Sequence, residues 1–228
     1  LTNLNWSQLI GDNDKYFDAF YGLALGKNND LYCAGGTNSV GLKTKFSSVW
    51  LNSPLGDVDG LLVRLDKFTG ALIAGKYYGT NVYEQAHFVQ TDLSGNPYIF
   101  GQTEGVLPIV NSRFNQPNTG QFITKHSQDL TQIQIQTTFG ANGNMPNISP
   151  SAFLIDRCER IFISGWGGTT NTALYDMNTG NPKNHRNIGN TKNLTITKDA
   201  LQTNTDGSDF YIAVFSKNMY DLAFATYF

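Results

Sequence analysis

Charge is scarce in this chain: 15% of its 228 residues are charged and the formal net charge is −2. No basic run is present to neutralise a phosphate backbone, which excludes nucleic acid as an expected partner. Cysteine is as sparse, with two residues, Cys33 and Cys158, at unlike positions of the repeat described below. Free thiols are expected, not a disulfide framework. No apolar run approaches the roughly 18 residues that span a bilayer, so no membrane insertion is expected. The chain opens on Leu1 without a charged-then-apolar leader, and any export signal is expected to lie outside these residues. Helical periodicity, a nucleophile elbow, a phosphate-cradling glycine loop and paired-zinc spacing are also missing.

What the chain has is repetition. Tyr98-Ile-Phe-Gly-Gln-Thr103 recurs as Tyr32-Cys-Ala-Gly-Gly-Thr37 and as Phe162-Ile-Ser-Gly-Trp-Gly-Gly-Thr169. Aligned on this anchor, three further apolar runs fall into register in each copy. One set begins at Ala19, Gln85 and Ser149, one at Asp59, Thr119 and Asp209, and one at Ala71, Thr131 and Leu222. The runs are rich in β-branched and aromatic residues and are separated by turn pairs such as Asn29-Asp30 and Thr69-Gly70, the pattern of strands joined by hairpins. In the last run of the second copy, Ile133, Ile135, Thr137 and Phe139 alternate with Gln132, Gln134, Gln136 and Thr138. That predicts an outermost strand with one face in water.

Four antiparallel strands repeated in tandem predict an all-β fold of β-propeller blades; a β-solenoid fits less well because its coils are usually shorter. Closing glycines at Gly11, Gly79 and Gly140 divide the chain into 1–11 (the last strand of a preceding blade), 12–79, 80–140 and 141–228. The third blade carries an insertion near 167–194, from about Asn171 to Asn193, expected as a long loop. Three blades and one strand fall short of the roughly four to eight of a closed propeller. An open or partial propeller is expected, with apolar faces bare at both ends and the remaining blades, from the same protein or another chain, as partners.

Candidate sites are few. Acidic clusters at Asp12-Asn-Asp14, Asp57-Val-Asp59 and Asp206-Gly-Ser-Asp209 offer closely spaced oxygens of the kind calcium selects. They match no complete calcium loop, and Asp59 and Asp209 also read as strand-entry positions, so no metal or other cofactor is assigned. His87 falls on an inner strand, equivalent to Tyr21 and Ser151, where an imidazole would face a ligand in a central channel. His126 and His185 fall in expected loops. Trp166 interrupts the anchor, and its indole beside glycines would stack on a sugar ring or else cover the blade edge. The acids Asp18, Glu84, Asp92 and Asp156 are the candidates for paired-carboxylate chemistry, yet Asp92 and Asp156 are repeat-equivalent, as scaffold residues would be.

At the level of whole repeats, the chain resembles the bacterial β-propeller repeat called SBBP. The likeness rests on Asp92-Leu-Ser-Gly-Asn-Pro-Tyr-Ile-Phe-Gly-Gln-Thr103, Ile196-Thr-Lys-Asp-Ala-Leu-Gln202 with Asp209-Phe-Tyr-Ile-Ala213, and Thr138-Phe-Gly140. Ile148-Ser-Pro-Ser-Ala-Phe-Leu-Ile155, followed by the anchor at Ile163, is most similar to large surface proteins with gliding-motility-associated C-terminal domains. The first repeat departs at Gly26-Lys-Asn-Asn29, where the family has an Asp-x-x-Gly turn. The resemblance implies type IX secretion, a cell-surface or extracellular location, and a non-enzymatic display, adhesion or binding role. Surface polysaccharide or the secretion machinery are the partners it implies. A passenger or subunit of a secretion or surface complex, and a polysaccharide-acting propeller enzyme, are the alternatives.

Overall fold

A computed structural model describes residues 4–11, 17–45, 48–141, 143–168, 174–175, 182–183 and 189–228. Three four-stranded antiparallel sheets follow one another along the chain. The first holds β1 (Asp18–Leu25), β2 (Asp30–Thr37), β3 (Asp59–Asp66) and β4 (Leu72–Tyr78). The second holds β5 (Glu84–Thr91), β6 (Pro97–Thr103), β7 (Gln121–His126) and β8 (Ile133–Phe139). In the third, β9 (Ser149–Ile155) and β10 (Ile161–Trp166) are separated from β13 (Phe210–Phe215) and β14 (Leu222–Tyr227) by a two-residue ladder of β11 (Leu174–Tyr175) with β12 (Pro182–Lys183). Among the described residues, helix is limited to Leu42–Lys45 and one 3-10 turn, Lys217–Met219. The architecture is blade-like: each sheet runs in order from an inner to an outer strand, and β5 lies against the first sheet as β9 lies against the second.

Alternation within the strands gives each sheet two apolar faces, so every sheet has to be covered twice. Tyr32, Ala34, Leu62 and Tyr78 of the first sheet share a core with Val89, Ile99 and Phe122 of the second. Tyr98, Phe100 and Ile123, on the opposite face of the second, share a core with Phe153, Ile161, Ile163 and Phe215 of the third. Each fully buried side chain of this size contributes about 1.5–3 kcal/mol through burial. The hairpins closing β7 and β8 and closing β13 and β14 each drive one apolar side chain into the preceding sheet's core. Leu130 and Met219 do this fully buried, at φ 64 and 52.

The anchor sets the register, and it moves one alignment. Gly36 pairs with Gly60 and Gln102 with Gln121, so Gly120, whose carbonyl receives the Thr103 N–H, takes the slot of Asp59. Thr119 lies one residue outside it.

The connection between second and third strands is long in every sheet and returns along the outer strand. Val49 and Leu51 bond to Gly75, Val110 exchanges two bonds with Gln136, and Thr197 and Gln202 bond to Ala225 and Tyr227. The outer edge is thereby capped in all three sheets, which manages the edge-strand problem. It also closes part of the expected wet face of β8, where Gln132 is exposed and Gln134 half-buried but the rest is covered. Gln136 and Thr138 are buried, because Gln136 donates to Pro108 O and accepts from Tyr78 Oη, while Thr138 donates to Gln116 O. The period of the strand was right; its solvent was another loop.

Two further expectations concern the first residues and the insertion. Residues 4–10, expected within the last strand of a preceding blade, pair with no strand among the described residues. They lie on the first sheet, where Trp6 Nε1 donates to Lys67 O and Ile10 joins a core with Cys33, Leu61, Val63 and Tyr77. Leu42 and Trp50 complete that cover, so the far face of the first sheet is largely closed, although Leu23 and Leu25 of its inner strand stay exposed. The insertion leaves and rejoins its sheet at a bridge between Gly168 and Gly189. Beyond its two-residue ladder, most of residues 171–188 lies outside the described residues.

Candidate binding surface along the inner strands

Each inner strand carries a β-bulge next to the anchor glycine. Register slips between Phe20 and Gly22 opposite Gly35, between Ala86 and Phe88 opposite Gly101, and beside Gly165 opposite Pro150 and Ala152. The bulge presses an inner-strand carbonyl onto that glycine. A Cβ would stand 1.8 Å from Ala19 O at Gly35, 2.0 Å from Gln85 O at Gly101 and 2.7 Å from Ser149 O at Gly165. Only glycine admits so close an approach. The extra residues of the three bulges are Tyr21, His87 and Ser151, and a bulge re-aims the side chain it carries.

These three residues sit along the inner rim. Tyr21 and His87 rings lie 5.5 Å apart, tilted by 32°. Gln85 Nε2 donates to Tyr21 Oη at 2.6 Å, and Tyr83 Oη donates to Gln85 Oε1 at 2.6 Å. His87 Nε2 meets Gln102 Oε1 at 3.1 Å, and Gln102 in turn donates to Ile148 O. Ser151, exposed, donates to Ser164 Oγ. Tyr21 is 45% exposed and His87 half-buried, so an aromatic face and an imidazole edge are held in place by buried amides and face solvent. Such a row can stack on and hydrogen-bond a neutral polar ligand.

Trp166 lies elsewhere. It shares with Phe162 and Ser164 the face of the third sheet that points away from the second, beside Phe210. It neither joins His87 nor closes a pocket with it.

The carboxylates serve the scaffold. Asp18 accepts from Thr37 Oγ1 at 2.5 Å, and Glu84, fully buried, accepts from Thr103 Oγ1, Thr80 Oγ1 and Thr80 N. Both span inner strand to anchor threonine at equivalent positions. Asp92 accepts from Asn96 N and pairs with Lys125 Nζ at 2.8 Å; burial opposes its charge, but these bonds hold its carboxyl below the usual range. Lys125 also reaches Glu159 of the third sheet at 3.5 Å and lies 5.0 Å over the Tyr98 ring. Asp156 instead binds Arg160 within its own turn. In the first sheet, where Gly26 replaces that Asp, Asp30 pairs with Arg64 at 2.7 Å from the other end of the turn. A Cβ at residue 26 would stand 2.6 Å from the Tyr32 ring, which explains the displaced carboxylate.

Of the calcium candidates, Asp57 is exposed, and Asp59 is buried and accepts from Leu55 N. Burial pushes the Asp59 carboxyl up to about 6, against the pull of backbone bonds from Leu55 and Gly56. Asp206 accepts from Ser208 N and Asp209 from Gln202 Nε2. Among the described residues no three His, Cys, Asp or Glu side chains gather into a metal cage. Asp12, Asp14 and His185 lie outside the described residues. Cys33 is buried and Cys158 exposed, both as free thiols.

His126, expected in a loop, lies instead at the end of a strand, in surroundings the sequence did not reveal. It ends β7 fully buried, with neither ring nitrogen bonded and its ring edge-on to Tyr78 at 5.8 Å. Burial, with the Lys76 charge nearby, pulls its pKa down to about 3.

No protein-family profile matches the chain, and no curated protein does. Seven chains of solved structures match. One is a protein of unknown function from Bacteroides caccae, 7% identical, aligned over 92% of this chain and 81% of that one, with a TM-score of 0.29. A likeness at that level carries no inference about fold or function.

Proposed function

We propose that this chain is a non-enzymatic segment of an extracellular or cell-surface β-propeller that binds through the residues of its inner-strand bulges. The observation that carries the reading is the contrast within one structural slot. Three bulges share a backbone and an invariant glycine contact, while the presented residue changes from Tyr21 to His87 to Ser151. A scaffold that holds its backbone constant and varies the projected side chain is suited to recognition. A neutral polysaccharide matches the tyrosine face and the low surface charge; the SBBP-like wording of the repeats supports surface display and type IX export. The enzyme reading loses its candidates, since Asp18, Glu84, Asp92 and Asp156 are all engaged in turns and inter-strand contacts.

The test has two arms. Antibody labelling and protease shaving of intact cells should reach the protein at the surface; retention inside the cell overturns the display reading. Binding of the purified chain to cell-surface polysaccharide should fall at least tenfold in Tyr21→Ala and in His87→Ala, with the melting temperature little changed. Unaltered binding in both variants overturns the assignment of the bulge row.

A further inference from the structure

The two ends of the sheet array differ. On the first sheet the outward face is packed under Trp6, Ile10, Leu42 and Trp50. Its β3–β4 hairpin carries Thr69-Gly70 where the other hairpins carry Leu130 and Met219, and Trp6 lies against Gly70 instead. At the slot filled by Leu130 and Met219 that hairpin has no apolar side chain; its Phe68, one residue earlier, points into solvent and is 64% exposed.

The third sheet is the reverse. Its hairpin drives Met219 into the second sheet, while its own outward face is open. Across that face, Leu154, Phe162, Val214 and Phe224 form one cross-strand row, and Phe210 lies beside Trp166 and Phe228. Leu154 is 54% exposed, Phe210 49%, Ile212 37% and Phe228 70%. At the positions equivalent to Phe162 and Ile212, the residues of the first two sheets, Tyr32, Tyr98, Leu62 and Ile123, are fully buried. An apolar face of this kind marks an interaction surface.

The geometry points to a further four-stranded sheet of the same repeat, carried on the same polypeptide, as the occupant of this face. Two observations select it. The equivalent face is covered twice in this chain, and each time by the following sheet, whose hairpin adds a buried Leu or Met. A second copy of this chain does not match that manner of stacking, because its first sheet is largely covered by Trp6, Ile10, Leu42 and Trp50 and its first hairpin has Thr69 where a buried Leu or Met is needed. The third face also differs in one respect that sets the chemistry of its occupant. Val214 stands where Arg64 and Lys125 stand, and Phe162 lacks the hydroxyl with which Tyr32 reaches Gln128 O. The following sheet is therefore expected to bring an apolar hairpin tip, with no carboxylate like Glu159 for a basic partner. This inference is independent of the ligand and location proposed above.

The test is thiol accessibility. Ile212→Cys and, separately, Phe210→Cys are made in a Cys158→Ser background, both in the complete translation product of the gene and in residues 1–228, and are pulsed with a maleimide at several protein concentrations. In the complete product, labelling should be at least tenfold slower than in residues 1–228, at every concentration. Equal rates in the two proteins overturn the proposal. Protection within residues 1–228 also overturns it; protection that grows with concentration identifies a second copy as the occupant. Two labelling sites keep the result readable if one variant folds poorly.

Discussion

Acid should act on this protein through two buried groups of opposite sign, and single substitutions should expose each. His126 has a folded pKa of about 3 against roughly 6.5 when unfolded. Between these values the unfolded chain binds a proton that the folded chain does not, so stability falls as pH falls. At pH 5 the loss relative to pH 8 is about 2 kcal/mol. Asp59 has a folded pKa of about 6 against roughly 3.9 unfolded. Here the folded chain binds the extra proton, so stability rises as pH falls below 6, by about 1 kcal/mol at pH 5 once partial solvent screening is allowed for.

The Asp59 contribution offsets only part of the His126 loss in the native sequence. In His126→Leu the histidine contribution disappears, and the difference in stability between variant and parent should shift by about 2 kcal/mol in the variant's favour from pH 8 to pH 5. The variant should already be about 1 kcal/mol more stable at pH 8, since two unbonded buried nitrogens are removed. Asp59→Asn should shift about 1 kcal/mol the other way over the same range. Urea unfolding followed by far-UV circular dichroism at pH 8, 7, 6 and 5 supplies the free energies, and the remaining carboxylates cancel in the differences. A His126→Leu curve that stays parallel to the parent within about 0.5 kcal/mol would refute the reasoning, because it would mean that the imidazole is protonated inside the fold or not buried.

Gly101→Ala should cost at least about 3 kcal/mol, since the new methyl meets Gln85 O across the bulge and the backbone has to move; a melting temperature within a few degrees of the parent would contradict the bulge. Leu130→Gly should be about 1 kcal/mol more stable than Leu130→Ala, although both lose buried surface, because only glycine relieves the positive φ; chemical denaturation of the pair decides it. Lys125→Val should destabilise by about 2–4 kcal/mol by stranding Asp92, and adding Asn96→Arg should restore at least half, by rebuilding the turn that Asp156 and Arg160 form in the third sheet. Failure of that rescue in the same denaturation assay would deny the equivalence of the two turns.

The strands, their grouping in fours and the anchor register were legible because each rests on local chemistry: a two-residue period, a turn pair, a glycine where a side chain would clash. What the sequence hid depends on distant contacts. Gln136 and Thr138 alternate like residues in water, and nothing near them in sequence says that Pro108 and Gln116 carbonyls will meet them. Leu130 and Met219 occupy a conformation that normally signals glycine, so their tips read as plain polar turns. Trp166 was visible as a departure from the anchor, but its face follows from strand parity in β10, with Ile161 and Ile163 inward. The inner-strand equivalence of Tyr21, His87 and Ser151 was readable from alignment alone; the bulge that makes the slot outward-facing was not.

Scaffold and recognition positions can be separated by how each tolerates change between repeats. At the turn before the anchor strand, the residue types change but the interaction is kept. Asp30 with Arg64, Asp92 with Lys125 and Asp156 with Arg160 each join a carboxylate to a base, reached from different places in the turn. Such compensation is what a structural requirement imposes: an unpaired carboxylate at the buried Asp30 or Asp92 would be costly, while Asp156 and Arg160 keep the same pairing at the surface. At the bulges the reverse holds. The glycine and its carbonyl contact persist, while tyrosine, histidine and serine share no interaction that could be conserved among them. Each makes its own local bond, Tyr21 with Gln85, His87 with Gln102 and Ser151 with Ser164, so the slot tolerates a change of chemistry, which is what the proposed recognition role would use.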